Sequence, residues 1–248
     1  MAKEHSMNAI EIKDLTKKYK DVTAVNSLSL TVKEGELFAL LGVNGAGKTT
    51  TVKMLSCLSK KTSGEAYVLG KSISDESAAV KSLIGVSPQE TAIASGLTAL
   101  ENLKLIAGVH GFSKEKQNAK IEELSAALGL RDVLPRRAGK LSGGYQRRLS
   151  IAMALISEPK ILFLDEPTLG LDVLARSDLW DVIRGLRGKV TVILTTHYME
   201  EAEALSDRVG IMKDGSLIAL GTPNEIKALA NEESFERAFI KIVKEAEI

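Results

Sequence analysis

The stretch Leu37–Thr50 reads LFALLGVNGAGKTT and is the most informative segment of the sequence for the fold. Its first five residues, Leu37–Leu41, are all apolar, which is typical of a strand covered on both faces of a parallel sheet. The next eight residues, Gly42–Thr49, match the pattern G-x4-G-K-[ST], in which a glycine-rich loop leads from a strand into a helix. The sequence therefore predicts a buried strand, a tight loop and a helix start in immediate succession.

This loop predicts a nucleotide site. Glycines let backbone N–H groups wrap closely around a phosphate, and the following helix turns its positive end toward the same anion. Lys48 would reach the β- and γ-phosphates, and the Thr49 hydroxyl would ligate Mg²⁺. The alternative without a nucleotide site is a glycine-rich turn with a surface lysine, and the strand–loop–helix setting disfavours it. The predicted binding residues are Gly42, Asn44, Gly45, Ala46, Gly47, Lys48, Thr49 and Thr50.

A second motif ends in two carboxylates. The apolar run Ile161–Leu164 is followed by Asp165 and Glu166, which places both at the carboxyl edge of a strand, where ligands bind in open α/β sheets. Asp165 suits a second Mg²⁺ position, and Glu166 suits orienting or deprotonating an attacking water. A solvated acidic turn would be the better interpretation if the pair stood alone.

A third motif, Leu141–Arg148, reads LSGGYQRR. Ser142 is a good N-cap, and with Gly143 and Gly144 it predicts a second helix N-terminus able to accept an anion. On physical grounds alone, a simply capped helix fits equally well. We interpret the basic pair Arg147-Arg148 as a solvated or interface helix face.

The remaining pattern predicts an α/β fold with a mixed, mainly parallel sheet, an antiparallel β subdomain and an inserted α-helical subdomain. Asp214-Gly215 is a hairpin signal. Residues 97–155 have helical spacing and are interpreted as the insertion, at about 90–158. The end, Asn231–Ile248, predicts a charged amphipathic helix that packs through Phe235, Phe239, Ile240 and Val243. Strands are predicted around Ile10–Ile12, Leu28–Val32, Leu37–Leu41, Leu83–Val86, Ile161–Leu164, Val190–Leu194, Val209–Met212 and Leu217–Leu220.

Composition excludes several classes of function. The formal net charge is only +1, which argues against a generic DNA binder. The single cysteine, Cys57, excludes a disulfide framework and is predicted to be a small core residue. The histidines His5, His110 and His197 lack metal-ligand spacing. No apolar run approaches the ~18 residues of a membrane span, so we expect a cytoplasmic protein. Polar Met1–Ser6, interpreted as a floppy or non-native start, is left out of the fold.

The three motifs, in this order and spacing, resemble the ATP-binding subunit of ABC transporters, and the resemblance runs from Ile10 to Glu225. It implies that Tyr19 stacks on adenine, that Gln89 senses Mg²⁺ and water, and that His197 is a switch histidine. Leu171-Asp172 matches the family's loop after the second carboxylate. Taken singly, Tyr19 also fits a packed surface ring, Gln89 fits a loop cap, and His197 fits a lone histidine at a strand end. One departure is Tyr145, where the family often has glutamine.

The resemblance also implies how such a chain works. A P-loop NTPase domain, residues 7–230, would hydrolyse ATP with Mg²⁺ and pair head to tail with a second subunit, as a homodimer or heterodimer. Each ATP would lie between Gly42–Thr49 of one subunit and Ser142–Gly144 of the other. A separate transmembrane permease would dock on the helical lobe and Ser87–Leu100, holding the protein at the inner face of the cell membrane. No nucleic-acid partner is expected.

Two later segments of the sequence indicate which class of molecule would be transported. Thr195–Glu203 and Gly221-Thr222-Pro223 are most similar to ATPases of ABC-2-type exporters of drugs, lipids, polysaccharides or ions. The alternatives are a non-transport ABC-type ATPase acting on nucleic acid or the ribosome, and another kind of P-loop NTPase. The first usually has a long coiled coil or tandem cassettes, which 248 residues with one copy of each motif do not fit.

Overall fold

A computed structural model describes residues 8–246. Met1–Ser6, including His5, and the last two residues of the predicted C-terminal helix lie outside this range. The strands are β1 Asn8–Tyr19, β2 Val22–Lys33, β3 Leu37–Gly42, β4 Ser63–Val68, β5 Lys71–Ser72, β6 Ile84–Ser87, β7 Ile161–Asp165, β8 Thr191–Thr196, β9 Arg208–Lys213 and β10 Ser216–Gly221. The α-helices are α1 Lys48–Leu55, α2 Ser77–Leu83, α3 Ala99–Val109, α4 Lys114–Ala127, α5 Gly143–Leu155, α6 Val173–Arg184, α7 Met199–Leu205, α8 Pro223–Ala230 and α9 Phe235–Glu245.

The larger sheet is mixed and mainly parallel, with strand order β10-β9-β3-β8-β7-β6. Only the β9–β10 hairpin, which turns at Asp214-Gly215, is antiparallel. Every residue of β3 is buried between β8 and β9, as the unbroken apolar run predicts. Leu41 pairs with Thr196, and Asp165 pairs with Thr195. The carboxyl ends of β3, β7 and β8 therefore meet at one edge.

A second, antiparallel sheet has the order β2-β1-β4-β5. From Leu28 to Lys33, β2 alternates buried and exposed residues, in agreement with the period-2 pattern around Leu30. Register shifts interrupt the alternation along β1 beyond Ile12. The sequence did not predict β4, because Ser63, Gly64 and Glu65 give it little apolar character. A hydrogen bond of 2.8 Å from Asn26 N to Gly215 O joins this sheet to the β9–β10 turn. The antiparallel sheet thus lies beside the glycine-rich loop.

The stretch predicted to be a helical lobe contains α3, α4 and α5, and the only β pairing described within it is an isolated bridge between Thr98 and Arg137. Thr98 and Glu101 form a reciprocal capping box at the start of α3. Leu103 is fully buried, whereas Leu105 is half exposed and lies on the outer face of α3. The helical architecture is confirmed, and the exact bounds of the insertion stay a prediction.

The predicted C-terminal helix is α9, which begins at Phe235 rather than at Asn231. It is preceded by α8, which the sequence pattern does not predict; Asn231 adopts a left-handed conformation that ends α8, and Ser234 caps α9. Phe235 and Phe239 are buried as expected. Ile240 is 42% exposed, so its predicted packing role is wrong, and the neighbouring core position is Ile242.

Candidate functional site

The glycine-rich loop joins β3 to α1 and comes very close to neighbouring backbone. Gly47 has a φ of 99°, and a Cβ atom there would lie 2.4 Å from the Ala24 carbonyl oxygen. A Cβ atom at Gly42 would lie 2.4 Å from the Met212 carbonyl oxygen. Any larger residue would collide with fixed backbone, so the fold requires glycine at both positions.

Lys48 lies at the centre of the site. It is 4% exposed, and its ammonium donates to the carbonyls of Gly42 at 2.8 Å and Val43 at 3.1 Å. Its Nζ atom is 3.6 Å from Glu166 Oε1. Burial lowers the pKa of Lys48, and the negative charges of Glu166 and Asp165 oppose that shift. The loop therefore presents a positive charge held in place by backbone carbonyls.

Thr49 and Asp165 meet across the sheet edge. The Thr49 hydroxyl donates to Asp165 Oδ1 at 3.0 Å, and the Thr195 hydroxyl donates to the same oxygen. Within residues 8–246 no group of three His, Cys, Asp or Glu side chains is arranged to hold a metal. A hydroxyl and one carboxylate suit Mg²⁺, which keeps several waters and takes its other ligands from substrate phosphates. The donor set therefore fits the predicted cation.

Glu166 follows β7 with a φ of 46°, an uncommon conformation for a residue other than glycine. Its N–H donates to the carbonyl and the hydroxyl of Thr195 at 3.1 and 3.0 Å, which holds this strained turn. Its carboxylate lies between Lys48 and His197, whose Nδ1 atom is 3.2 Å from Glu166 Oε2. Strain of this kind is often kept where a side chain must point in one direction.

Lys48, Thr49, Glu166 and His197 line one cavity of about 390 Å³, whereas Gly42 and Asp165 are not part of its lining. All three predicted catalytic residues line it. Its lining residues are Ala24, Asn44, Gly45, Ala46, Gly47, Lys48, Thr49, Thr50, Gln89, Glu166, Leu169 and His197.

Tyr19 lies outside this lining. Its ring is 47% exposed, its hydroxyl is 3.4 Å from Ser59 Oγ, and Lys17 Nζ lies 4.6 Å from the ring centroid. The structure thus leaves the ring accessible without joining it to the phosphate loop. Stacking on adenine stays a prediction.

Ser142, Gly143 and Gly144 also lie outside the cavity. Ser142 occupies the N-cap position of α5, but its side chain makes no capping hydrogen bond, so the expected side-chain cap is wrong. Cβ atoms added at the two glycines would come within 3.3 Å of Leu171 and 3.2 Å of Ala175. The start of α5 therefore packs against the segment that contains Leu171-Asp172, away from the loop's own phosphate cavity.

The interpretation of Arg147 as a solvated residue is also wrong. Arg147 is 4% exposed and donates to backbone carbonyls inside the protein. The sequence contains a signal for this, since Ile151 and Ala154 follow at helical spacing and are buried on the same face. Arg148 is different, because it pairs with Asp178 at 3.0 Å beside the Tyr145 ring.

The burial of Cys57 and of Glu201 differs from what the sequence alone indicates. Cys57 is half-buried, and burial raises the pKa of its thiol, which disfavours a nucleophilic role.

Glu201, four residues after His197, is fully buried and accepts a hydrogen bond of 3.0 Å from Trp180 Nε1. Burial raises the pKa of Glu201. Periodicity could not identify Glu201, because it gives no reason to bury one glutamate in the run EEAE.

Glu201→Gln should make protein stability less dependent on pH. A raised folded-state pKa means that the unfolded chain loses this proton first, so wild-type stability falls as pH rises above the usual carboxyl range. Glutamine keeps an oxygen for Trp180 and never ionises. We expect the free energy of unfolding of the wild type to fall relative to the variant as pH rises above about 4.5, with a slope of at most about 1.4 kcal/mol per pH unit. Urea unfolding of both proteins at a series of pH values tests this, and a difference that does not change with pH would contradict it.

Comparison with known proteins identifies the domain. Residues 25–169 match the family described as ABC transporter. The chain is 43% identical over 240 residues to the "Probable multidrug ABC transporter ATP-binding protein YbhF" of Escherichia coli, covering 94% of this chain and 41% of that protein. The chain belongs to the ABC transporter family. It is also 40% identical to the daunorubicin/doxorubicin resistance ATP-binding protein DrrA of Streptomyces peucetius, over 89% of this chain and 67% of that protein.

Solved ABC structures share the fold. An ATP-binding subunit of an ABC transporter aligns with a TM-score of 0.83 and 27% identity, over 94% of this chain and 99% of that one. A dimeric ATP-binding cassette, in a post-hydrolysis state with ADP and Pi, aligns with a TM-score of 0.77 and 29% identity over 86% of this chain and 98% of that one. The predicted family and fold class are confirmed, and membership excludes an unrelated P-loop NTPase. The chain spans only about two fifths of the length of YbhF.

Proposed function

We propose that this ABC domain binds ATP and hydrolyses it to ADP and phosphate with Mg²⁺, and that this reaction powers transport by a separate membrane-spanning partner. The observation that carries the proposal is the convergence of Lys48, Gln89, Glu166 and His197 on one cavity whose wall is the glycine-rich loop. An exposed lysine and an unconnected acidic turn would not produce this arrangement.

The geometry supports a division of work. Lys48 would offset the charge on the β- and γ-phosphates, while the loop N–H groups hold their oxygens. Glu166 can accept the proton of an attacking water, and His197, 3.2 Å away, holds that carboxylate in position. Thr49, Asp165 and Gln89 would hold Mg²⁺, which neutralises charge that develops on the phosphate oxygens. Adenine would stack on exposed Tyr19.

A second subunit is proposed to complete each site. Ser142–Gly144 begin a helix and do not line the cavity of their own chain. A triphosphate between this helix start and the glycine-rich loop of another subunit would join the two chains, because both ends are electropositive. The dimeric cassette with ADP and Pi supports such pairing. The sequence fits either a homodimer or a heterodimer.

A membrane partner is supported by a groove beside Gln89. No helix in residues 8–246 is long and apolar enough to cross a membrane. A hollow of about 310 Å³, lined partly by Pro88, Ala92, Ile106 and Met153, lies between the Gln89 loop and the helical lobe. We propose that a permease segment docks here, which places the domain at the inner face of the cell membrane. The names of YbhF and DrrA favour export of drug-like molecules.

Hydrolysis is tested by phosphate release from purified wild type, Lys48→Ala and Lys53→Ala. Lys53 lies exposed on the same helix and is the matched control. We expect turnover in wild type and Lys53→Ala, loss of at least about a hundredfold in Lys48→Ala, and loss of turnover when EDTA removes Mg²⁺. Equal phosphate release by Lys48→Ala would contradict the proposed site. Faster hydrolysis in a complex with a membrane-spanning protein that co-purifies with the chain would support the transport half, and an unchanged rate in that complex would count against it.

A further inference from the structure

Arg147 is a buried cation that makes its hydrogen bonds with backbone. Its NH1 group donates to the Pro88 carbonyl at 2.6 Å. Its NH2 group donates to the Gln89 carbonyl at 2.7 Å and reaches the Glu166 carbonyl at 3.4 Å. Burial lowers the pKa of Arg147, and the charges of Asp165 and Glu201 oppose that shift. Because arginine stays protonated in proteins, the guanidinium keeps all its donors.

The three carbonyls belong to two different catalytic loops. Pro88 and Gln89 follow β6, and Glu166 follows β7. Gln89 and Glu166 both line the phosphate cavity. A planar guanidinium bonded to both loops fixes the distance between them, which a spherical ammonium or an apolar side chain cannot do.

The same side chain connects these loops to the start of α5. Arg147 lies three residues after Gly144, so less than one helical turn separates the glycine N–H groups from the Cα atom of Arg147. A shift of this first turn would move Arg147 directly. The carbonyl of Glu166 belongs to a residue held at positive φ, where a change in peptide orientation redirects the carboxylate.

A contribution to the stability of the fold does not by itself explain why an arginine is buried at position 147. Burying a charge carries a large desolvation cost, and an apolar side chain of similar volume often packs as well or better. Arg148, the next residue, pairs with Asp178 at the surface and touches neither catalytic loop. Two adjacent arginines on one helix therefore differ in what they hold.

We propose that Arg147 is a positioning residue for ATP hydrolysis. It fixes the Gln89 loop against the Glu166 turn, and it passes movements of the α5 N-terminus to both. This rests on the proposed function, in which that N-terminus contacts ATP bound to a second subunit. Engagement of one ATP would thereby set the geometry at the other.

The test compares Arg147→Met, Arg147→Lys and the control Arg148→Met. Methionine keeps much of the volume but loses every donor, whereas lysine keeps the charge and one or two bonds. We expect Arg147→Met to lower kcat by about 10–100-fold, the size of effect that misplacement by about 1 Å can have. KM and the Kd of a fluorescent ATP analogue should stay within about twofold. Arg147→Lys should recover part of the kcat, and Arg148→Met should resemble wild type.

The outcomes separate this inference from the proposed function. Active wild type with an unchanged kcat in folded Arg147→Met would overturn the positioning role alone. A parallel loss of kcat, nucleotide affinity and melting temperature in both Arg147 variants would overturn it in favour of a purely structural role. If Arg147→Met does not fold, Arg147→Lys tests the proposal instead. An unchanged kcat in Arg147→Lys would contradict the need for a planar guanidinium. Inactive wild type would overturn the proposed function and this inference with it.

Discussion

Replacing Glu166 with glutamine should lower ATP turnover by at least about a hundredfold, the contribution typical of a general base. The amide cannot take up a proton, but it has nearly the same size and leaves Lys48 and the glycine-rich loop in place. ATP binding should therefore persist. Single-turnover phosphate release and equilibrium binding of a fluorescent ATP analogue measure the two steps separately.

The matched control for this variant is Glu233→Gln, which removes an exposed carboxylate outside the cavity. It should hydrolyse ATP like wild type. Normal turnover in Glu166→Gln would remove Glu166 from the mechanism. Loss of ATP binding together with turnover would show instead that the carboxylate supports the Lys48 site.

Ser142→Arg should abolish turnover, again by at least about a hundredfold, while the chain still binds ATP through its own loop. Ser142 does not line the cavity of its own subunit and makes no side-chain cap. The bulky cation would therefore obstruct only a phosphate presented by a second subunit. Phosphate release and ATP-analogue binding, measured on one preparation, test both halves of this prediction.

Ser113→Arg is the control for a serine at a helix start in the same lobe. Ser113 caps α4 through a hydrogen bond from Lys116 N, so its replacement should cost about 1 kcal/mol of stability without affecting turnover. Full turnover by Ser142→Arg would show that the start of α5 plays no part in hydrolysis. Loss of ATP binding would show that it belongs to the chain's own site.

Much of the core and the site could be predicted because apolar runs and glycine chemistry are local signals. Leu37–Leu41 indicates its own burial, and Gly42–Thr49 indicates the loop that follows. Asp165 and Glu166 end such a run, so their place at the sheet edge also follows from local pattern. The structure adds that Thr49 and Asp165 meet at 3.0 Å, a contact between residues 116 positions apart.

The residues that the sequence does not reveal depend on tertiary contacts. A basic pair on a helix favours a solvated or interface face, yet the acceptors of Arg147 are carbonyls of loops far away in sequence. Buried Glu201 depends on Trp180 in another helix. The expected cap at Ser142 has the right backbone position, but no rule of sequence indicates that its hydroxyl stays unbonded. Polar side chains are predictable where local backbone supplies the partner, and much less so where a distant loop does.

Two chains that share each ATP would differ in molar mass from a single chain, and light scattering measures that mass for Glu166→Gln in solution. Light scattering during gel filtration, with Mg²⁺ present, compares saturating ATP with saturating ADP. We expect the mass of two chains with ATP and of one chain with ADP, because the second subunit holds the γ-phosphate. A single-chain mass at every ATP concentration, in a sample shown to have bound ATP, would contradict it.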